Sequence, residues 1–267
     1  MKTIEFESWE CFEQQVSIMF SDWRKLKAEG RYNQWATPRF RGHADSDWKL
    51  ETTLERFTKK SSWAKEQYIK IIRDIQPAVI SITGKNWDIL EFEDGKLPLS
   101  GYEFMIYLRH HGFPSPLLDW TRSPYVAAFF AFRSQEKLGS EKVAIYSYIE
   151  DFEGSQGIAN NTNEPTVRGL GPYAVTHKRH YAQQCEYSIC EQKINGKYHY
   201  GSHENPTFGD PNSDLGPVKK YILPGTERTK ALSQLHRMNV TAFSLFGSEE
   251  SLMETLAYQE IETRLID

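Results

Sequence analysis

Apolar residues at the start of the chain fall three and four apart, at Trp9, Phe12, Val16, Phe20, Trp23 and Leu26, the spacing that lays one apolar stripe along a helix. Ser8 precedes the stripe and Gly30 follows it, so the pattern predicts a capped amphipathic helix packed on the main body. The period then changes. WATPRFRG reads as a short strand leaving Pro38, with Gly42 allowing either a positive φ or a close backbone approach. Trp63, Tyr68, Ile71, Ile72, Ile75 and Val79 return to helical spacing over 62–80, with Pro77 expected to kink or end that helix early. YEFMIYLRHHG predicts a helix stopping at Gly112.

The second half alternates faster. Pro114 and Pro116 enforce an extended entry into a strand from Leu117 to Thr121, and Ser123 with Pro124 forms an N-cap and first-turn pair for a helix through Phe132. Strands are expected over 143–149, over 184–190 and at KKYILP. TERTKALSQLHRMN predicts a helix capped by Thr226, VTAFSLF a strand, and Ser248 the start of a last helix. Residues 151–178 are rich in Gly, Asn, Pro and Thr without a period, which leaves a surface insertion and a lid over a site both open. INGKYHYGSHENPTFGDPNSDLGP is a second turn-rich excursion. With no repeat or linker, the pattern predicts a single α+β domain of mixed or antiparallel sheets with flanking helices, residues 1–34 being an N-terminal helical extension.

Composition sharpens this only at the edges. The chain of 267 residues is 39% hydrophobic and 13% aromatic, enough to build a real core. Thirty-two Lys plus Arg against 36 Asp plus Glu give a net charge of −4, so a nucleic-acid partner is not favoured and would need a local patch. YVAAFFAF, the longest apolar run, is far short of a spanning helix, and the acidic start does not read as a signal peptide. Three cysteines, Cys11, Cys185 and Cys190, argue against a disulfide framework, so a cytoplasmic protein with no membrane partner is expected. Cys185, Cys190, His177 and His180 match no standard zinc spacing, and no metal is expected.

Phosphate-loop, dinucleotide-fingerprint, zinc-protease and nucleophile-elbow motifs are absent. The candidate chemistry is Arg39 and Arg41, which share one face of a strand beside Gly42. A guanidinium fork there can grip a phosphate, or it can pair with a buried carboxylate such as Asp119. Asp119 stands at a strand-to-helix corner, where it could serve a ligand or cap the next helix. His110 and His111 end a helix, where capping is the ordinary role. Gln184 and Glu186 would share a strand face, placing a carboxylate that could act as acid, base or charge stabiliser, or simply lie exposed at an edge.

RFRGHADSDWKLETTLERF resembles the signature of the FRG domain, with Phe40, Arg41 and Gly42 as its aromatic-Arg-Gly triplet. LRHHGFPSPLLDWTRSPYVAAFFAF is similar to that domain's second signature, and RHYAQQCEYSIC and YILPGTERTKALSQLHRMNVTAFSLF are weaker matches. The resemblance covers 35–257. Ser115 and Pro116 stand where family members commonly have Thr-Arg, and Cys185 where they commonly have glycine.

The order of these motifs also resembles ADP-ribosyltransferases, which present an Arg-Gly strand, a hydroxyl-bearing strand leading into an Ala-rich helix, and a Gln/Glu-x-Glu strand. That resemblance implies an ADP-ribosyltransferase-like core and a protein that uses NAD as substrate, as a transferase or an NAD glycohydrolase, in a bacterial or phage toxin or defence effector. It implies Glu186, Gln184 and Arg41 as catalytic residues. Arg41, Gly42, Asp119, Trp120, Thr121 and His111 are implied to bind the cofactor, and the ADP-ribose acceptor stays open. The competing readings are a non-catalytic module binding a phosphate-bearing ligand, nucleotide or nucleic acid through Arg39, Arg41 and aromatic residues, and a purely internal network of ion pairs.

Overall fold

The computed structural model describes residues 1–32, 36–89, 99–134, 141–150, 165–170, 178–204, 207–208 and 218–265. Along the chain the strands are β1 (Lys2–Glu5), β2 (Thr37–His43), β3 (Trp63–Ala64), β4 (Leu117–Thr121), β5 (Lys142–Glu150), β6 (Thr166–Gly169), β7 (Cys185–Ile194), β8 (Lys197–Tyr200), β9 (Thr207–Phe208) and β10 (Lys219–Pro224). The helices are α1 (Trp9–Ala28), α2 (Thr53–Thr58), α3 (Lys65–Thr83), α4 (Leu99–His110), α5 (Pro124–Phe132), α6 (Lys178–Ala182), α7 (Arg228–Arg237), α8 (Ala242–Phe246) and α9 (Glu249–Ala257). The α+β expectation holds, with one mixed sheet ordered β1-β10-β5-β2-β4-β7-β6-β9 and β8 paired to β7 and β3.

Local signals explain much of this. The Ser8 side chain accepts from the Cys11 amide at the head of α1, and Ser123 accepts from the Val126 amide at the head of α5, with Pro124 in the first turn. Trp9, Phe12, Val16 and Met19 of α1 join α5, α7 and the β5–β10 face in the largest core cluster. A second cluster sets α3 and α4 against β4 and β7, and a third gathers Leu50, Leu118, Trp120, Ala144, Tyr146, Tyr148 and Val218.

Several expectations need correction. The N-terminal segment holds more than the predicted helix: α1 packs on the main body as its spacing predicts, and β1, which was not expected, pairs in parallel with β10 at the sheet edge. α3 runs through Pro77, which lies on the exposed side, where water can serve the carbonyl that loses its donor. VTAFSLF forms α8 instead of a strand, because Thr241 and Ser244 make a capping box and Gly247 closes the turn at φ 62°. Thr226 lies inside a 3₁₀ turn (Gly225–Glu227) ahead of α7, so it is not that helix's cap.

The supposed loop 151–178 contains β6, paired with β7 and β9; its remaining residues, apart from 165, 170 and Lys178 at the head of α6, lie outside the described residues. The second excursion opens as a hairpin, with Asn195 and Gly196 at positive φ joining β7 to β8.

Candidate functional site

The functional geometry starts from a fault in the sheet. β2 pairs with β5 along its whole length but with β4 at one position only, Phe40↔Thr121. Beyond that point the two strands diverge, and a cavity of about 550 Å³ opens there, lined among others by Arg41, Gly42, His43, Asp119, Thr121 and Cys185. The Arg41 side chain bridges the fault by donating from Nη1 to the Asp119 main-chain carbonyl at 2.8 Å. Its Nε donates to His43 Nε2 at 3.0 Å. Both acceptors are neutral, and Nη2 makes no hydrogen bond among the described residues.

Burial pulls the Arg41 guanidinium down to about 10, with the Asp119 charge opposing the drop, so it remains a cation at neutral pH. His43 is pushed well below the ordinary imidazole range by burial and by Arg41. It is therefore a neutral acceptor for the guanidinium. The alternative left open by the sequence, an ion pair between Arg41 and the Asp119 carboxylate, is not formed, because another cation takes that carboxylate. Arg109, the penultimate residue of α4, takes that carboxylate in a two-point fork, through Nε to Oδ1 and through Nη2 to Oδ2 at 2.7 Å. Burial alone would raise the Asp119 carboxyl, but Arg109 holds it below the usual carboxylate range. Asp119 does not cap α5, since Ser123 does.

Arg39 departs from its expected role. It is 2% exposed, its Nη2 lies 2.6 Å from Glu186 Oε2, and its Nη1 donates to the Thr37 hydroxyl and to the Thr37 and Pro38 carbonyls. It is an internal cation and cannot also hold a ligand. Glu186 sits in central strand β7, buried, with Arg122 Nε 3.7 Å from its other oxygen. It is neither an exposed edge residue nor a wall of the cavity.

Gln184 is not in the strand. It occupies the turn before β7 at φ 50°, exposed, and lines a separate shallow depression with Arg122, Ser123 and Phe20. His111 is exposed against Tyr107, its ring 4.3 Å away, outside the cavity. Its neighbour His110 meets the Tyr187 hydroxyl at 2.7 Å.

The remaining expected residues do line the cavity. Thr121 donates to the Gln183 carbonyl at 2.7 Å and accepts from the Ser123 amide at 3.1 Å, which ties the β4–α5 corner to the start of β7. Trp120 is a wall residue whose ring belongs to the core, with Nε1 donating to Ser188 Oγ at 2.8 Å. Gly42 is required by the fold. A Cβ there would lie 1.9 Å from the Ala127 carbonyl oxygen of α5, so the missing side chain admits a helix backbone. The Cys185 thiol is pushed up to about 12 by burial and the Asp119 charge, which leaves it protonated and inert.

Sequence reasoning missed Arg109, His43 and Trp48. The period that placed Arg39 and Arg41 on one face also reaches His43, whereas Trp48 is brought to the site by the turn after β2 and Arg109 by tertiary structure alone. Among the described residues no group of three His, Cys, Asp or Glu side chains could hold a metal ion.

No curated protein and no solved structure matches the chain. The family model described as FRG domain matches residues 37–139, the span that carries β2, β4, α5 and most of the cavity wall. Over that segment the chain is similar to the FRG domain family.

Proposed function

We propose that the cavity at the β2–β4 fault binds a phosphate-bearing small molecule, with NAD the first candidate through the resemblance to ADP-ribosyltransferases. The observation that carries this is Arg41. It is a guanidinium on the cavity wall whose hydrogen bonds go to neutral acceptors, leaving Nη2 for an incoming anion. Such a cation is suited to hold a diphosphate, with the apolar walls Phe40, Ala127 and Phe130 excluding water around it.

A second reading, NAD cleavage by a transferase or glycohydrolase, is favoured by one further observation. Strands β2, β4 and β7 are adjacent, so the strands bearing Arg41, Thr121 and Glu186 lie side by side. In that reading Glu186 would stabilise positive charge developing on the ribose as the nicotinamide bond breaks. It would first have to leave Arg39.

Calorimetric titration with NAD, combined with chromatographic detection of free nicotinamide, tests both. Binding by the wild-type chain that weakens at least about tenfold in Arg41→Gln is expected; equal affinity in the two overturns the pocket. Release of nicotinamide that is lost in folded Glu186→Gln and Glu186→Asp supports cleavage. Binding without release leaves the binding reading alone standing.

A further inference from the structure

Phosphate binding at Arg41 does not account for the mouth of the cavity. Trp48 lines it and is 48% exposed. Its backbone is nevertheless fixed, the amide donating to the Asp45 carbonyl at 3.3 Å and the carbonyl accepting from the Tyr146 hydroxyl at 3.1 Å. The indole meets His43 edge-on, with ring centroids 6.1 Å apart and planes at 61°. His43 is also the imidazole that accepts from Arg41 Nε. One imidazole therefore separates the indole from the guanidinium.

A single exposed aromatic residue is ordinary on a protein surface. This one shares a cavity with an excess of cations. Lys49 and Arg56, both exposed, line the same cavity. Arg56 Nη1 donates to the Glu51 carbonyl at 3.0 Å, and neither residue forms an ion pair among the described residues. Asp119 is matched by Arg109. Arg41, Lys49 and Arg56 are then set against Glu51, three charges less one, an excess of two positive charges in a chain whose net charge is −4.

We infer that the ligand is a nucleotide whose base stacks on Trp48 while its phosphates lie on Arg41, with Lys49 and Arg56 at the mouth. The inference rests on the phosphate-binding reading and adds the base. An exposed indole held at one edge offers a flat apolar face that tolerates any base. Two excess positive charges suit a diphosphate better than a neutral nucleoside. A sugar phosphate would use the cations but bring no aromatic ring to the indole.

The test is calorimetric titration of the full chain with ADP, pyrophosphate and adenosine, repeated in Trp48→Ala and Trp48→Phe. Trp48 is exposed, so both variants are expected to fold, which circular dichroism checks. ADP should bind the wild-type chain about tenfold or more tightly than pyrophosphate or adenosine. Trp48→Ala should lose that margin for ADP while leaving pyrophosphate unchanged, and Trp48→Phe should restore most of it. Equal affinity for ADP and pyrophosphate in the wild-type chain, or equal losses for both in Trp48→Ala, overturns the base-stacking inference alone. Failure of both phosphate ligands to bind the wild-type chain removes the phosphate site and the nucleotide with it.

Discussion

Arg39 and Arg41 are the same residue type, two positions apart on one face of one strand, yet they live in different electrostatic worlds. Arg39 lies on the side of Phe40↔Thr121 where β4 has ended, and it meets Glu186 of β7 in a buried ion pair. Arg41 lies on the side where β2 and β4 diverge; it bonds one carbonyl and one neutral imidazole beside a cavity. A shared face fixes the direction of a side chain, but the end of strand pairing decides whether a carboxylate of the fold meets it. The first half of β2 thus stabilises the domain, and the second half faces the cavity.

The largest expected effect breaks this contrast at its buried pole. Glu186→Gln leaves a buried cation with a neutral partner and should cost about 3–5 kcal/mol in denaturant unfolding. Arg41→Gln, which removes no ion pair, should cost only about 1 kcal/mol. Equal losses would erase the distinction between the two arginines. Next comes Gly42→Ala, whose Cβ would drive into the α5 backbone; overpacking of this kind costs about 1–3 kcal/mol or more, read as a lowered unfolding midpoint.

A pH titration sharpens the comparison further, because buried neutral histidines cluster around Arg41. Burial first, then Arg41, pushes His43 well below its usual range, and burial with Arg41 and Arg109 pushes His203 down to about 3. With folded values below the unfolded value of ~6.5, the unfolded chain takes up protons first as the pH falls. Stability should therefore be lost below about pH 6.5, at up to ~1.4 kcal/mol per pH unit for each histidine. His203→Gln should remove one histidine's share of that slope. Asp119 has its folded value depressed by Arg109, so its contribution is full above ~3.9 and fades as the pH drops through the folded value. The smallest effect belongs to Gln184→Gly. This turn residue at positive φ, remote from the cavity wall, should change stability by no more than ~0.5 kcal/mol and ADP affinity not at all.

The sequence carried the parts of the fold whose signals are local. Ser8, Ser123 with Pro124, and Ser248 announce three helix starts because each cap bonds an amide three residues on. The alternation in KKYILP marks β10 to its ends. VTAFSLF misled because an apolar run of that length suits a strand or a buried helix turn equally, and the cap at Thr241 and Gly247 decides it. The site was legible as three strands and one arginine. Which arginine would be unpaired was not, because that depends on the register of β2 against β4 and of β4 against β7, which join segments dozens of residues apart. The partner of Asp119 was hidden for the same reason, since Arg109 arrives on α4, a helix read only for its ending histidines.

The most direct test of the central claim is the upward shift in unfolding temperature that saturating ADP gives to the wild-type chain and to Arg41→Gln, both folded at the start. Stabilisation of the wild type that is smaller by about 1.4 kcal/mol or more in the variant at the same ADP concentration is the result predicted for a guanidinium whose counter-charge is supplied by a ligand. The same shift in both proteins would contradict it.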